Sequence, residues 1–422
     1  MLSSYGWIIW NITRRLWFRA SLVSLLAVAA AVAGLGLSPY LPDDLSAKIG
    51  ADAVQDILNV LASSMLVVTT FSLSTMVAAY AAAGASAPPR ATKLLLEDTT
   101  TQNVLATFVG SFLYSLVAII VLATGAYGER GRVVLFAVTM LVVLLIVVTL
   151  LRWIDYLLGL GRVGETARQV EDAAERAIRN RARRPCLGGT PWSGDPRDVP
   201  AGARRVFPEA TGYVANIDMK ALADVAGQIK GEIYVAAPPG SFVDPGLPIL
   251  YAAGPVDDAA EVRLCGALSI EKERTFEQDP AYGLGVMAEI ASRALSPGVN
   301  DAGTALDAIG RAVRVLLIGA AHNERGKPEM PAVHMIPVTA AELFDAFFPP
   351  VARDGAKFVE IQTRLQAAFA ILSRCGDDSY REQAMRHARL ALERAEAGMA
   401  FEPDLQAVRA AHRETLAVGQ DL

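Results

Sequence analysis

Residues 57–89 read ILNVLASSMLVVTTFSLSTMVAAYAAAGASAPP, and no side chain in that run carries a charge; Asp56 precedes it and Arg90 follows. About 20 apolar residues are enough to cross the hydrocarbon core of a bilayer as a helix. With no water to satisfy the backbone, a helix is the form such a segment takes. Three further uncharged runs accompany it, Ala20–Pro42, Thr99–Gly128 and Val133–Leu151. Four transmembrane helices are therefore expected within residues 1–160. The first is expected to be a retained helix, because it is longer than a signal core of roughly 7–15 residues. An aromatic segment with Trp7, Trp10 and Trp17 precedes or enters it and suits the membrane interface.

Charge is segregated along the chain. Residues 1–160 hold nine Lys/Arg and eight Asp/Glu, whereas residues 161–422 hold thirty and thirty-six. With 53% apolar residues overall, 20% charged and a mean hydropathy of +0.33, the pattern excludes a single soluble enzyme domain and a fully embedded carrier. A membrane half joined to a water-exposed half remains. The expected divisions are a membrane domain at 1–160, a helical extension and Pro/Gly-rich linker at 161–203, a small β-rich domain at 204–278 and a helical domain at 279–422. The net charge of −5 gives no reason to expect nucleic-acid binding, and three scattered cysteines suit a reducing compartment. With the four runs taken as spans, thirteen Lys/Arg fall on one side of the membrane and three on the other. By the positive-inside rule both termini and the polar half face the cytoplasm of a multi-pass protein.

The second run also carries a polar pattern. At about 100° per residue, Ser63, Thr70 and Ser74 share one side of the helix, and Asp52, Asp56 and Asn59 project onto nearly the same line. Small residues at Ala78, Ala81 and Ala85 continue it. Two readings of this stripe are open. Small and hydroxyl residues let membrane helices pack closely; alternatively, hydroxyls replace part of an ion's water shell and the acids gather cations at the outer mouth. Four helices mostly bury one another, so a pore needs a homo-oligomer with this helix along its axis. No Asp, Glu, Lys, Arg or His lies within the four cores, which disfavours a proton-coupled pump.

Phe71-Ser72-Leu73-Ser74, Pro88-Pro89-Arg90, Phe108-Val109-Gly110-Ser111-Phe112-Leu113-Tyr114 and the downstream Ala294-Leu295-Ser296-Pro297-Gly298-Val299-Asn300-Asp301 follow one another in this order. Together they resemble the bacterial membrane-protein family catalogued as domain of unknown function 2254. The resemblance implies four N-terminal transmembrane helices, a cytoplasmic C-terminal region and residence in a bacterial inner membrane. It implies no catalytic residues. Asp301 is followed by Ala302, where many members of that family are expected to have proline.

In the polar half, Val163, Ala167, Val170, Ala174 and Ala177 recur at spacings of 4-3-4-3. This seam predicts that the fourth membrane helix continues unbroken to about residue 184. Five arginines between Arg176 and Arg184 read as a solvated helix face. Residues 185–203 are dense in Pro and Gly and read as a linker. Strand-like runs at 212–217, 231–237, 248–252 and 262–270 predict a small β barrel or sandwich. The rest is helical, with a Pro-containing loop at 327–337 and a densely charged, exposed helix at 378–398. Glu289, Ser296, Asn300 and Asp301 form a candidate oxygen-rich ligand site, although a Pro-Gly turn before an Asx helix cap explains the same residues.

No P-loop, dinucleotide fingerprint or nucleophile elbow is present. The four histidines show no zinc spacing. No enzyme activity, cofactor or metal site is therefore expected. Two functions stay open: a homo-oligomeric ion-conducting pore lined by Asp52, Asp56, Asn59, Ser63, Thr70 and Ser74, with cation preference; or a membrane-anchored sensor or scaffold whose cytoplasmic part binds a ligand or partner. Membrane lipid, further copies of the chain and inorganic ions are the expected partners.

Overall fold

The computed structural model describes residues 16–37, 51–96, 98–125, 129–159, 162–321 and 327–420. By its contacts the chain divides into two compact units. An apolar unit comprises the described residues of Ile8–Ser86 and Thr92–Glu165, and a polar unit those of Ala87–Ala91 and Thr166–Leu422.

The apolar unit is built from helices α1 (Leu16–Leu37), α2 (Ala51–Ser86), α4 (Thr99–Ala123) and α5 (Glu129–Gly159), with the short α3 (Pro89–Leu96) entering it. Among the described residues three helical stretches are long and apolar enough to span a bilayer: Ala53–Gly84, Thr99–Ala123 and Gly131–Leu157. The remaining expected span falls on α1, whose described apolar stretch, Phe18–Ala30, is shorter. Helix α4 is the most buried of the long three, with α1 and α2 both packed along it. Asp98 caps its start by accepting from the Thr101 N–H at 2.9 Å. At Gly110 a β-carbon would lie 2.7 Å from Val23 Cγ1, so only glycine lets α1 approach this closely. One turn on, Tyr114 is fully buried, its hydroxyl 2.9 Å from Thr139 Oγ1 of α5. Residues 108–114 are thus a packing motif.

The expected continuous helix is interrupted at Arg162, which is not helical. The described part of α5 runs to Gly159, residues 160 and 161 lie outside the described residues, and α6 (Val163–Arg183) follows. The small-residue seam of α6 is buried from Ala167 to Ala177. A β-carbon at Gly283 would meet that of Ala174 at 2.5 Å, so the seam serves close packing of α6 on α9 (Pro280–Ala294).

The polar unit contains two open sheets. Strands β1 (Gly189–Pro191), β8 (Met330–Met335), β4 (Glu232–Val235), β6 (Leu250–Ala253) and β2 (Arg204–Val206) lie in that order, and β5 (Phe242–Val243), β3 (Gly212–Ile217) and β7 (Leu268–Glu271) form a second, antiparallel sheet. Both sheets, with α7 (Met219–Gln228) and α8 (Asp258–Gly266), close over one core that includes Ile217, Leu222, Ile233, Leu250, Leu264 and Val333. No barrel closes. The larger sheet is mixed, with β8 parallel to both β1 and β4, and parallel neighbours need long crossovers in place of hairpins.

Three expectations change here. The loop expected at 327–337 contains β8, a central strand. Pro331 hid it, but Pro331 precedes the residues that pair with β4, Val333 to Met335, where a missing N–H costs no ladder bond. The linker at 185–203 supplies edge strand β1, and its Trp192 is buried. Residues 258–266 are helix, because Asp257 accepts the Ala260 N–H at 2.7 Å and caps a first turn.

The C-terminal helices α10 (Ala302–Ala320), α11 (Ala340–Asp354), α12 (Val359–Cys375), α13 (Asp378–Gly398) and α14 (Glu402–Gln420) complete the unit with α9. Helix α13, expected to be exposed, buries Tyr380, Ala384, His387, Ala388, Ala391 and Ala395 along one face. His387 lies among Phe344, Phe348 and Phe369, with Nε2 3.1 Å from Asp345 Oδ1. Burial pushes its imidazole down to about 4; Asp345 pulls upward, and Arg386 and Arg394 add to the downward push. The folded chain therefore keeps this ring neutral, while the unfolded chain protonates it near pH 6.5.

On α6, Glu171 is buried and bonds to Arg311 at 2.5 Å and Arg314 at 2.6 Å on α10. Burial alone would raise its carboxyl, but the Arg314 and Arg311 guanidiniums outweigh that and hold it below the ordinary value.

Two outcomes are expected. Glu171→Ala leaves Arg311 short of its buried partner and should destabilise the chain by about 2 kcal/mol in denaturant unfolding. Stability should also fall as pH drops from about 6.5 towards about 4. The His387→Leu chain should lose less over that interval than the parent; equal losses would mean that this ring does not titrate on unfolding.

Candidate functional site

Helix α2 has two unlike faces. Val54, Leu58, Leu61, Met65, Ser72, Met76 and Ala83 are buried, at the spacing of one helical stripe. Asp56, Asn59, Ser63, Thr70 and Ser74 are all exposed, as are Ala78 and Ala81. The expected polar stripe is therefore one continuous face of α2, turned away from the other described helices of its unit. Asp52 lies on the same helix, with its side chain outside the described residues. The face is mixed, for Val60, Val67 and Phe71 stand beside the polar positions and are also exposed.

The hydroxyls along it are already bonded. Ser63 donates to the Asn59 carbonyl at 2.9 Å, Thr70 to that of Leu66 at 2.9 Å and Ser74 to that of Thr70 at 3.0 Å. Bonding back by four residues uses each donor proton within the helix. The oxygen lone pairs stay directed outward and can accept from water or coordinate a cation.

The second set of candidates is dispersed by its local bonding. Glu289 pairs with Arg90 within the polar unit, and this pair raises the Arg90 guanidinium above its ordinary value. Ser296 donates to the Arg293 carbonyl at 2.7 Å. Asn300 takes the left-handed conformation at φ 52°, its N–H bonded to the Ser296 carbonyl at 2.9 Å. Asp301 caps α10, accepting from the Thr304 N–H at 3.0 Å and its hydroxyl at 2.6 Å. The hydroxyl and N–H of Thr304 hold the Asp301 carboxyl below its ordinary value. A turn and a helix cap account for Ser296, Asn300 and Asp301, and Glu289 is engaged elsewhere. Among the described residues no group of three or more His, Cys, Asp or Glu is arranged to hold a metal ion.

A third place emerges only from the fold. A cleft of about 190 Å³ in the polar unit is lined by the end of α6, the starts of α9, α11 and α13, and the end of α10. Ile178, Arg181, Cys186, Pro337, Leu343 and Tyr380 are among its walls. Arg181 is 9% exposed. One terminal nitrogen donates to the Gln278 carbonyl at 2.7 Å, the other lies 4.0 Å from Met335 Sδ, and Nε has no partner. Burial pushes this guanidinium down from its ordinary value, while Cys186, Asp279 and Glu342 act the other way from a distance.

The arginine cluster is thus not one solvated face. Arg179 pairs with Glu175 one turn back and Arg184 with Glu329 at 2.8 Å, whereas Arg181 turns inward. A signal for this existed, since residue 181 is the next position of the seam at 163, 167, 170, 174 and 177.

A family model described as a predicted membrane protein (DUF2254) matches residues 13–370. No curated protein and no solved structure matches the chain.

Proposed function

The chain belongs to the DUF2254 family of predicted membrane proteins, and on that premise we propose that it is a homo-oligomeric ion-conducting pore lined by the outward face of α2. In this reading α1 is a fourth spanning helix and the protein is multi-pass in a bacterial inner membrane. Its termini and polar unit are cytoplasmic, as the distribution of Lys and Arg favours.

The observation that carries the proposal is the exposure of Asp56, Asn59, Ser63, Thr70 and Ser74 on a single face whose opposite side is buried. An amide such as Asn59 cannot satisfy two donors and an acceptor within its own helix, and it is costly against hydrocarbon. A wet axis between copies satisfies it. Self-bonded hydroxyls present acceptor oxygens to such an axis, and carboxylates at the helix start draw cations to its mouth. The apolar neighbours Val67 and Phe71 fit the flanks, where adjacent copies of α2 would touch.

A second reading, a membrane-anchored sensor, is favoured by the Arg181 cleft, because a tether needs a ligand site in the polar unit and no conduction.

Purified protein in a planar bilayer under a tenfold KCl gradient tests the pore. Discrete currents are expected, with a reversal potential of the sign for cations. Thr70→Leu with Ser74→Leu should abolish them and leave the melting temperature unchanged, since both positions are exposed. Asp52→Asn with Asp56→Asn should move the reversal potential towards zero. Currents indifferent to both pairs of substitutions would overturn the assignment of α2 as the lining.

A further inference from the structure

Charge in the interior of the polar unit does not balance at the Arg181 cleft. Arg274 and Asp279 pair with each other at 2.7 Å, and the other oxygen of Asp279 accepts the Tyr282 N–H at 3.1 Å. Asp279 is thus fully engaged. Among the described residues Arg181 then stands as a buried cation with no carboxylate in ion-pair contact, and its Nε–H is unmet. A guanidinium does not shed its proton, and a buried, uncompensated charge is strongly unfavourable. A carbonyl and a thioether satisfy it only in part.

The surroundings add to this positive field. Pro280 and Ala340, the first residues of α9 and α11, line the cleft, as does Ser379 in the first turn of α13. Helix N-termini carry partial positive charge and attract anions. Acids of the cleft region already serve the helix starts. Asp377 accepts the Tyr380 N–H at 3.1 Å and the Ser379 hydroxyl at 2.6 Å, and Glu342 closes the capping box with Thr339. Neither forms an ion pair with Arg181. Ile178, Pro337 and Leu343 give the cleft apolar walls.

We propose that this cleft binds a small organic oxyanion, a phosphate monoester or a carboxylate. Its charged group meets Arg181 where that side chain lines the cleft, and its compact apolar body lies against Ile178, Pro337 and Leu343. Guanidinium and oxyanion match in shape and charge, and the cleft volume admits a ring-sized body beyond the head group. The site goes beyond conduction and stands whether or not the membrane helices form a pore.

Equilibrium dialysis of the full chain in detergent, with phenyl phosphate, benzoate and inorganic phosphate as probes, tests this. Phenyl phosphate or benzoate should bind saturably at one site per chain and more tightly than inorganic phosphate, which lacks the apolar body. Arg181→Met should weaken binding by about tenfold or more. Methionine fills similar volume without the charge, and such replacements are often neutral or stabilising, so the loss would not reflect unfolding. Ala182→Trp should block the cleft with Arg181 intact, and it decides the matter if the methionine chain does not fold. Displacement of bound phenyl phosphate by short-chain phosphatidate, and not by glycerol 3-phosphate, would assign the head group to a lipid. Absence of saturable binding by all three probes, or equal binding by the parent and Arg181→Met, would overturn the proposal, whatever the bilayer currents show.

Discussion

The close approach of α1 to α4 at Gly110 is the contact on which the apolar unit depends. Between apolar helices in a membrane, hydrophobic burial contributes little, and association rests on tight packing and a few internal hydrogen bonds. Gly110 removes the side chain that would hold α1 away, while Tyr114 reaches Thr139 of α5 from the same helix. Helix α4 thereby becomes the shared partner. Since α2 also packs along α4, one of its faces is spent on that contact and the opposite one is left bare. The bareness of the polar stripe follows from this arrangement.

The polar unit obeys a different constraint, the need to cover two short sheets with helices that bring their own charges. Helix α6 turns two ionisable side chains inward, and they meet opposite fates. Glu171 receives two guanidiniums from α10, so its charge is compensated and knits two helices together. Arg181, about three turns further along, receives a carbonyl and a sulfur. Compensated charges of this kind serve architecture, whereas an uncompensated one at the wall of a cleft is where a ligand can complete the electrostatics.

The polar residues that drew attention in the linear chain differ in how they are used. Asp301 and Ser296 are consumed by helix ends within a few residues of themselves, the ordinary use of Asx and hydroxyl groups. Those on α2 are bonded back into their own helix yet keep their outer side free. The first kind leaves nothing over for a ligand, and the second leaves acceptor oxygens facing outward.

Much of this was legible along the chain. Long uncharged runs set the apolar helices, because helix formation in an apolar medium is a local matter of backbone satisfaction. Strand β3 and helix α13 were also foreseeable from their own residues, as was the common face of Asn59, Ser63, Thr70 and Ser74, which a helical repeat places together. Three features were settled only by distant partners. Strand β8 looks like a loop until β1 and β4, some 140 and 100 residues earlier, pair with it. Whether the stripe on α2 is covered depends on which neighbours α4 has already taken. Arg181 reads as one more solvated cation until α9, α11 and α13 close around it. Periodicity tells which residues share a face, but what that face meets is decided by chain segments far away in sequence.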